Sequence, residues 1–342
     1  MDENLLRMLM NSDSDDQPAS NDDAETPDAF CTISEANKKL QLLMLGGKEG
    51  APVRAVAEAI ECSPEISGTA DEFHNIIQDF FRIHDYRSAF IVAKKGLGLF
   101  PGNVDLLANA IRSAAGLADF ESCDRFEETA RGLGLEYWNW RIFVFLIDAY
   151  KTRIGAQTSK ELRSRYYERA HGIADEYLGA FPADDRAYNA KAELYLLANE
   201  TAKAKAVLNR AIGAVKTESG ERILAPTCCI TYLDILEPTD EASCNLIIKV
   251  ARKGIHSTAQ EQPSANIGYF LYREALALDA LIAMKDDGKG YSVEEDVKRA
   301  LDCYECAYEL LKDRSYARTI KERYSILRNK GKGDFADRKL SE

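Results

Sequence analysis

Apolar residues recur at helical spacing along most of this chain. In EFHNIIQDFFRIHDYRSAFIVAKKGLGLFPGN, from Glu72 to Asn103, Phe73, Ile76, Ile77 and Phe80 fall at i, i+3, i+4 and i+7 on one face, and Ala89, Ala93 and Gly96 on another. The pattern predicts two amphipathic helices joined by a tight turn near His84 to Tyr86. The second ends at Pro101, which cannot donate a helical hydrogen bond. Small residues at Ala89, Ala93 and Gly96 let the two backbones approach closely. Alternation with the period of a strand is hard to find anywhere. Stretches 102–181 and 264–342 lack proline and are rich in Ala, Leu, Glu, Lys, Arg and Tyr, as continuous helices would be. The chain reads as all-α.

The Glu72–Asn103 unit resembles the tetratricopeptide repeat, a helix-turn-helix of about 34 residues. Phe73, Ile76, Ile77, Phe80, Tyr86, Ala89, Ala93, Gly96 and Pro101 stand at corresponding positions, with Ile77 departing from the small residue usual there. Further units fall in phase. Leu107, Ala110, Ile111, Ala114, Phe120 and Ala130 mark one; Tyr167, Ala170, Ala174, Tyr177 and Pro182 mark the second helix of another. The first helix of that unit should be EYWNWRIFVFLIDAY, with an insertion around Lys151 to Glu161. Tyr188, Ala192, Tyr195, Ala204, Leu208 and Ala211 mark the next unit, KVARKGI (Lys249 to Ile255) echoes VAKKGL, and Ala300, Tyr304 and Ala307 mark a late second helix. Leu40, Leu43, Val56, Ala59 and Pro64 fit a degenerate first unit.

The resemblance covers residues 31–311 and implies a right-handed α-α superhelical solenoid of about seven helix pairs. Residues 312–330 read as a C-terminal capping helix with Tyr316, Ile320, Tyr324 and Leu327 on one stripe, followed by a flexible tail over 331–342. In such a solenoid the resemblance implies a concave groove, lined by the first helices, that binds a protein or peptide segment. Its exposed positions here are Asp71, His74, Gln78, Arg82, Asp105, Arg112, Arg186, Asn189 and Glu193. This lining is mixed in charge. Only Asn109 falls near a position of the carboxylate clamp found in chaperone-tail binders, and no lysine pair accompanies it, so acidic peptide C-termini are not the expected ligand.

Charge adds two further features. Residues 1–30 hold nine acids against Arg7 alone, a net −8 of the whole-chain −12. This segment is too polar to join the array and is expected to be disordered, with Leu5 to Met10 a short apolar run suited to docking on a partner. Residues 312–333 hold eight bases and two acids, and Arg314, Arg318, Lys321, Arg323 and Arg328 form a basic C-terminal patch. That patch suits nucleic-acid phosphates, an acidic protein or the chain's own tail. Nucleic-acid binding is disfavoured as the main function because residues 31–311 carry −9.

Candidate chemistry is sparse. Cys303 and Cys306 form a CxxC inside a predicted helix, with no second pair or nearby histidine to complete a tetrahedral metal set. His74, His84, His171 and His256 lack metal-ligand spacing, there is no GxSxG elbow, and the glycines around Pro101 follow a helix instead of a strand. No enzyme activity, cofactor or metal is expected. The longest apolar run, Ile142 to Ile147, is far short of the roughly 20 residues that cross a bilayer. A cytoplasmic location with reduced cysteines is therefore expected. The aromatic cluster Tyr137, Trp138, Trp140, Phe143 and Phe145 reads as core or, if exposed, as an interface anchor. The leading expectation is a non-catalytic interaction scaffold or adaptor. The alternative is a regulatory subunit whose basic C-terminal helix engages nucleic acid or an acidic partner.

Overall fold

The computed structural model describes residues 30–214, 226–258, 265–285, 294–330 and 340. The acidic N-terminal segment and most of the 331–342 tail lie outside the described residues. Among the described residues, fourteen helices form seven consecutive pairs: α1 (Ile33–Leu45) with α2 (Ala51–Cys62), α3 (Ala70–Arg82) with α4 (Tyr86–Leu99), α5 (Val104–Gly116) with α6 (Phe120–Leu133), α7 (Trp140–Ala156) with α8 (Lys160–Ala180), α9 (Asp185–Leu197) with α10 (Thr201–Ala214), α11 (Pro226–Asp234) with α12 (Glu241–Thr258), and α13 (Ala265–Lys285) with α14 (Glu294–Leu311). A fifteenth, α15 (Ala317–Lys330), follows them, and a 3-10 turn at Leu135–Tyr137 precedes α7. The described residues contain no strand, only an isolated bridge between Thr32 and Ser67.

Local chemistry sets the helix starts. Thr32 and Thr69 accept through their side chains from the backbone amides of Glu35 and Glu72, whose carboxylates in turn accept from the threonine backbone amides, closing a capping box at the head of α1 and of α3. Asn103, Asp119, Asn139, Ser159 and Asp184 cap later helices with their side chains. The turns inside three pairs are built alike. His84, Ala118 and Asn199 adopt positive φ (58°, 54° and 60°), and the amide of the next residue bonds back to the first helix, to Phe80, Ala114 and Tyr195 respectively. A left-handed residue at this point is what reverses the chain in so few residues.

The chain divides into two compact units, the first ending at Leu99 and the second beginning at Phe100, so a boundary falls inside the span the sequence assigned to one repeat domain. In the first unit α1 packs on α2 and α3, and α4 on α2 and α3. In the second unit each helix packs on its chain neighbours, and the first helices pack on one another in series: α5 on α7, α7 on α9, α9 on α11, α11 on α13. This linear packing is how an array buries apolar area without a single large core. Small residues permit the close approaches. Ala89, Ala93, Ala110, Ala114, Ala170, Ala174, Ala192, Ala204 and Ala211 are buried, and a Cβ placed on Gly254 would come within 2.7 Å of the Phe270 ring.

Polar side chains tie successive pairs. Arg153 of α7 donates to the carbonyl of Phe120 at 2.6 Å, and Arg273 of α13 donates to that of Leu236 at 2.6 Å, in each case pinning the turn of the preceding pair. Buried Glu127, Glu274 and Asp279 each accept from arginines on other helices: Arg169, then Arg252 with Arg299, then Arg323.

The insertion expected around Lys151 to Glu161 takes the form of added helix: α7 runs to Ala156 and α8 starts at Lys160, and these helices are 17 and 21 residues long. Two other expectations need correction. The first helix of that pair begins at Trp140 because Asn139 caps it, leaving Glu136 and Tyr137 in the 3-10 turn. On α15, Ile320, Tyr324 and Leu327 are buried as expected, while Tyr316 precedes the helix, partly exposed, and packs its ring on Tyr269 and Tyr272 at 5.8 and 5.3 Å. Leu340 is half-buried against the core of the second unit.

Candidate partner-binding face

Within the second unit, the first helices α5, α7 and α9 carry a connected band of charged and aromatic side chains. Asn139 both caps α7 and donates to Asp105 of α5 at 2.8 Å. Asp105 also accepts from Arg141 at 2.7 Å. Arg141 lies over the half-buried ring of Trp140 at 5.0 Å, and Arg186 of α9 lies over the same ring at 4.0 Å. Two guanidiniums thus meet one indole, the aromatic surface that attracts cations best. Arg186 is fixed in turn by Asp184, which takes hydrogen bonds from it at 2.8 to 3.2 Å and from the Tyr177 hydroxyl at 2.8 Å. Burial pushes the Asp184 carboxyl up, but the bonds from Arg186 and Tyr177 outweigh it and hold the group below the usual carboxylate range.

Further along the same helices, Arg112 of α5 lies over the half-buried Phe145 ring of α7 at 5.4 Å. Lys151 of α7 donates to Asp148 at 3.1 Å and to Glu193 of α9 at 2.6 Å. Burial pulls the Lys151 ammonium down, and the charges of Asp148 and Glu193 more than restore it, so the lysine is cationic at neutral pH. Asn189 donates to Glu193 at 2.8 Å while its own side-chain carbonyl is buried without a hydrogen-bond partner.

Five of the residues singled out from the sequence, Asp105, Arg112, Arg186, Asn189 and Glu193, therefore meet in one band, joined through α7. Sequence reasoning missed the α7 members of the band, Arg141, Asp148 and Lys151, and left Trp140 and Phe145 between core and interface. A signal existed: Asp105 and Arg112, Arg141 and Asp148, and Arg186 and Glu193 are oppositely charged pairs, each seven residues apart, which places both members of a pair on one helix face. The remaining four lie on α3 in the first unit. Asp71 and Arg82 are exposed, His74 and Gln78 half-buried, and Arg82 pairs with buried Asp79, which also accepts from Gln41 of α1 at 3.2 Å.

The aromatic cluster is divided. Trp138 and Phe143 are core: the Trp138 ring nitrogen donates to the carbonyl of Ala130 at 2.8 Å, and Phe143 stacks on Tyr177 at 4.9 Å. Tyr137 is 64% exposed, and Trp140 and Phe145 belong to the charged band.

On α15, Arg323 is paired with buried Asp279, Lys321 lies over Tyr308 at 4.9 Å, and Arg318 pairs with Glu322 along the helix at 2.9 Å. Arg314 is exposed and Arg328 half-buried. Cys303 is buried and Cys306 exposed, and the described residues hold no group of three or more His, Cys, Asp or Glu placed to bind a metal ion.

No family profile and no curated protein sequence matches the chain. Among solved structures, it is similar to a thermophilic TPR protein of Thermus thermophilus, at a TM-score of 0.45 and 15% identity, covering 61% of this chain and 99% of that one. No helix among the described residues is long and apolar enough to cross a membrane.

Proposed function

We propose that this protein is a non-catalytic interaction scaffold, and that the band on α5, α7 and α9 receives a segment of a partner protein. The observation that carries this reading is Trp140: a large aromatic left half-buried beneath Arg141 and Arg186, where tryptophan and arginine together are the residues that anchor interfaces. Around it, Arg112, Lys151, Asp105 and Glu193 offer alternating charge, which suits a segment of mixed polarity. Taken by itself, the first unit offers a polar set of the same kind on α3, Asp71, His74, Gln78 and Arg82. The same reading sets the protein in the cytoplasm, in keeping with its eight unpaired cysteines.

Recovery of partners from native lysate by the wild type and by Arg112→Glu with Arg186→Glu tests the proposal. Loss of a partner with retained helicity is expected; unchanged recovery refutes it. For the basic patch to serve as the main site instead, binding would have to weaken steeply with salt and vanish on removal of residues 312–342. The commitment of Arg323 to Asp279 and of Lys321 to Tyr308 leaves that reading less supported.

A further inference from the structure

The first and last helix pairs are finished differently. After the last pair, α15 lays Ile320, Tyr324 and Leu327 into the core beside α14, sealing it. In the first pair, α1 turns Ile33, Ala36 and Leu40 inward, toward α2 and α3. Its opposite stripe, Lys38, Leu42 and Leu45 at i, i+4 and i+7, is exposed, with Leu42 at 67% and Leu45 at 85%. Two neighbouring leucines this exposed on a helix that ends a stack are an uncovered apolar face.

We propose that the chain covers this stripe with its own Leu5–Met10 run. The run LLRMLM is the one cluster of large apolar side chains within residues 1–29. It is within reach: α1 is 13 residues long, or about 20 Å at 1.5 Å per residue, and the roughly 20 residues after Met10 extend to about 66 Å. Charge favours the same path. Between Met10 and Phe30 there are seven acids and no lysine or arginine, and a chain returning along α1 passes the exposed ammoniums of Lys38 and Lys39 before it reaches Leu42. The contact gives the first pair the cap that α15 gives the last, and it uses none of the residues of the band on α5, α7 and α9.

Hydrogen exchange of the α1 amides in the full chain tests this, comparing wild type with Leu5→Asp plus Leu9→Asp, with Leu42→Asp plus Leu45→Asp, and with all four changes together. These side chains are solvent-facing or precede the array, so unchanged helicity is the control for folding. Both double variants are expected to exchange about tenfold faster in α1, the effect of uncovering about 1.4 kcal/mol of apolar contact, and the quadruple variant no faster than either. Wild-type α1 exchange in the Leu5 and Leu9 variant overturns the proposal. So does a wild type that sediments as a dimer which Leu42→Asp dissociates and Leu5→Asp does not, because the cover is then a second copy of the chain.

Discussion

Glu127 tests whether polar staples hold the helix pairs that present the candidate face. Its carboxylate, with a side chain only 7% exposed, accepts from Arg131 on its own helix at 3.0 Å, from the Tyr150 hydroxyl of α7 at 2.8 Å, and from Arg169 of α8. Replacing Glu127 with alanine strands the Tyr150 hydroxyl in the interior and takes a carboxylate from Arg169 and Arg131, of which Arg131 keeps Glu176 at 3.1 Å. Breaking a fully buried charge pair costs about 3 to 5 kcal/mol. Arg131 and Arg169 keep 29% and 43% of their side chains in solvent and can rehydrate, so the loss is discounted to about 2 to 3 kcal/mol. For a unit of this size that lowers the melting temperature by roughly 5 to 10 °C.

Thermal melts followed by circular dichroism and by the fluorescence of Trp138 and Trp140 read this directly, and Glu127→Gln should lose less because its amide oxygen still accepts from Tyr150. The effect has a defined pH dependence. Burial raises the Glu127 carboxyl, but its bonds to Tyr150 and Arg131 and the charge of Arg169 bring it below the usual value. A lowered folded-state pKa contributes stability that is complete above the unfolded-state value of about 4.3 and lost as pH falls through the folded one. The gap between wild type and Glu127→Gln should therefore be constant at neutral pH and narrow only as pH falls below the unfolded-state value of about 4.3. A Glu127→Ala midpoint within about 1 °C of wild type at neutral pH, or a gap to Glu127→Gln that persists undiminished in acid, refutes the reasoning.

Other outcomes follow from packing and burial. Gly254→Ala should destabilise by about 1 to 3 kcal/mol, since its Cβ would overlap the Phe270 ring, and denaturant midpoints would show it; a neutral change means that α12 and α13 are less tightly packed than described. Leu327→Ala should cost about 2 to 5 kcal/mol by the same assay, because this fully buried side chain seals the last pair. Ala118→Gly should be neutral or stabilise by up to about 1 kcal/mol, glycine being free of the strain alanine meets at φ 54°. In the folded protein the exposed Cys31, Cys62 and Cys306 should react quickly with a thiol reagent at neutral pH, while burial pushes the Cys123, Cys229 and Cys303 thiols up to about 12 and keeps them silent until denaturant is added. A fast fourth thiol would contradict the burial.

Much of the fold was legible in the sequence because helix pairing leaves a periodic record. Phe73, Ile76, Ile77 and Phe80 recur at helical spacing, and Ala93 and Ala174 must be small where backbones approach, so phase alone located most of the pairs. The insertion around Lys151 to Glu161 was located by phase, but its form as added length on α7 and α8 was not, because extra residues in the middle of a pair look the same in sequence whether they form a loop or lengthen two helices. The candidate face was half legible. Asp105, Arg112, Arg186, Asn189 and Glu193 were found as exposed positions of first helices, but Trp140 lies among buried Trp138 and Phe143, and composition cannot separate an aromatic under two arginines from one in the core. The division at Leu99 had no sequence signature, since α4 and α5 follow the same repeat phase as the other pairs.

The most direct test of the central claim is photo-crosslinking from two positions in the native cell. A photoreactive amino acid in place of Phe145, within the band on α5, α7 and α9, is compared with one in place of exposed Arg165 on α8. The account predicts covalent capture of a discrete partner segment from position 145 and none from 165. Capture from 165 with none from 145 would contradict it.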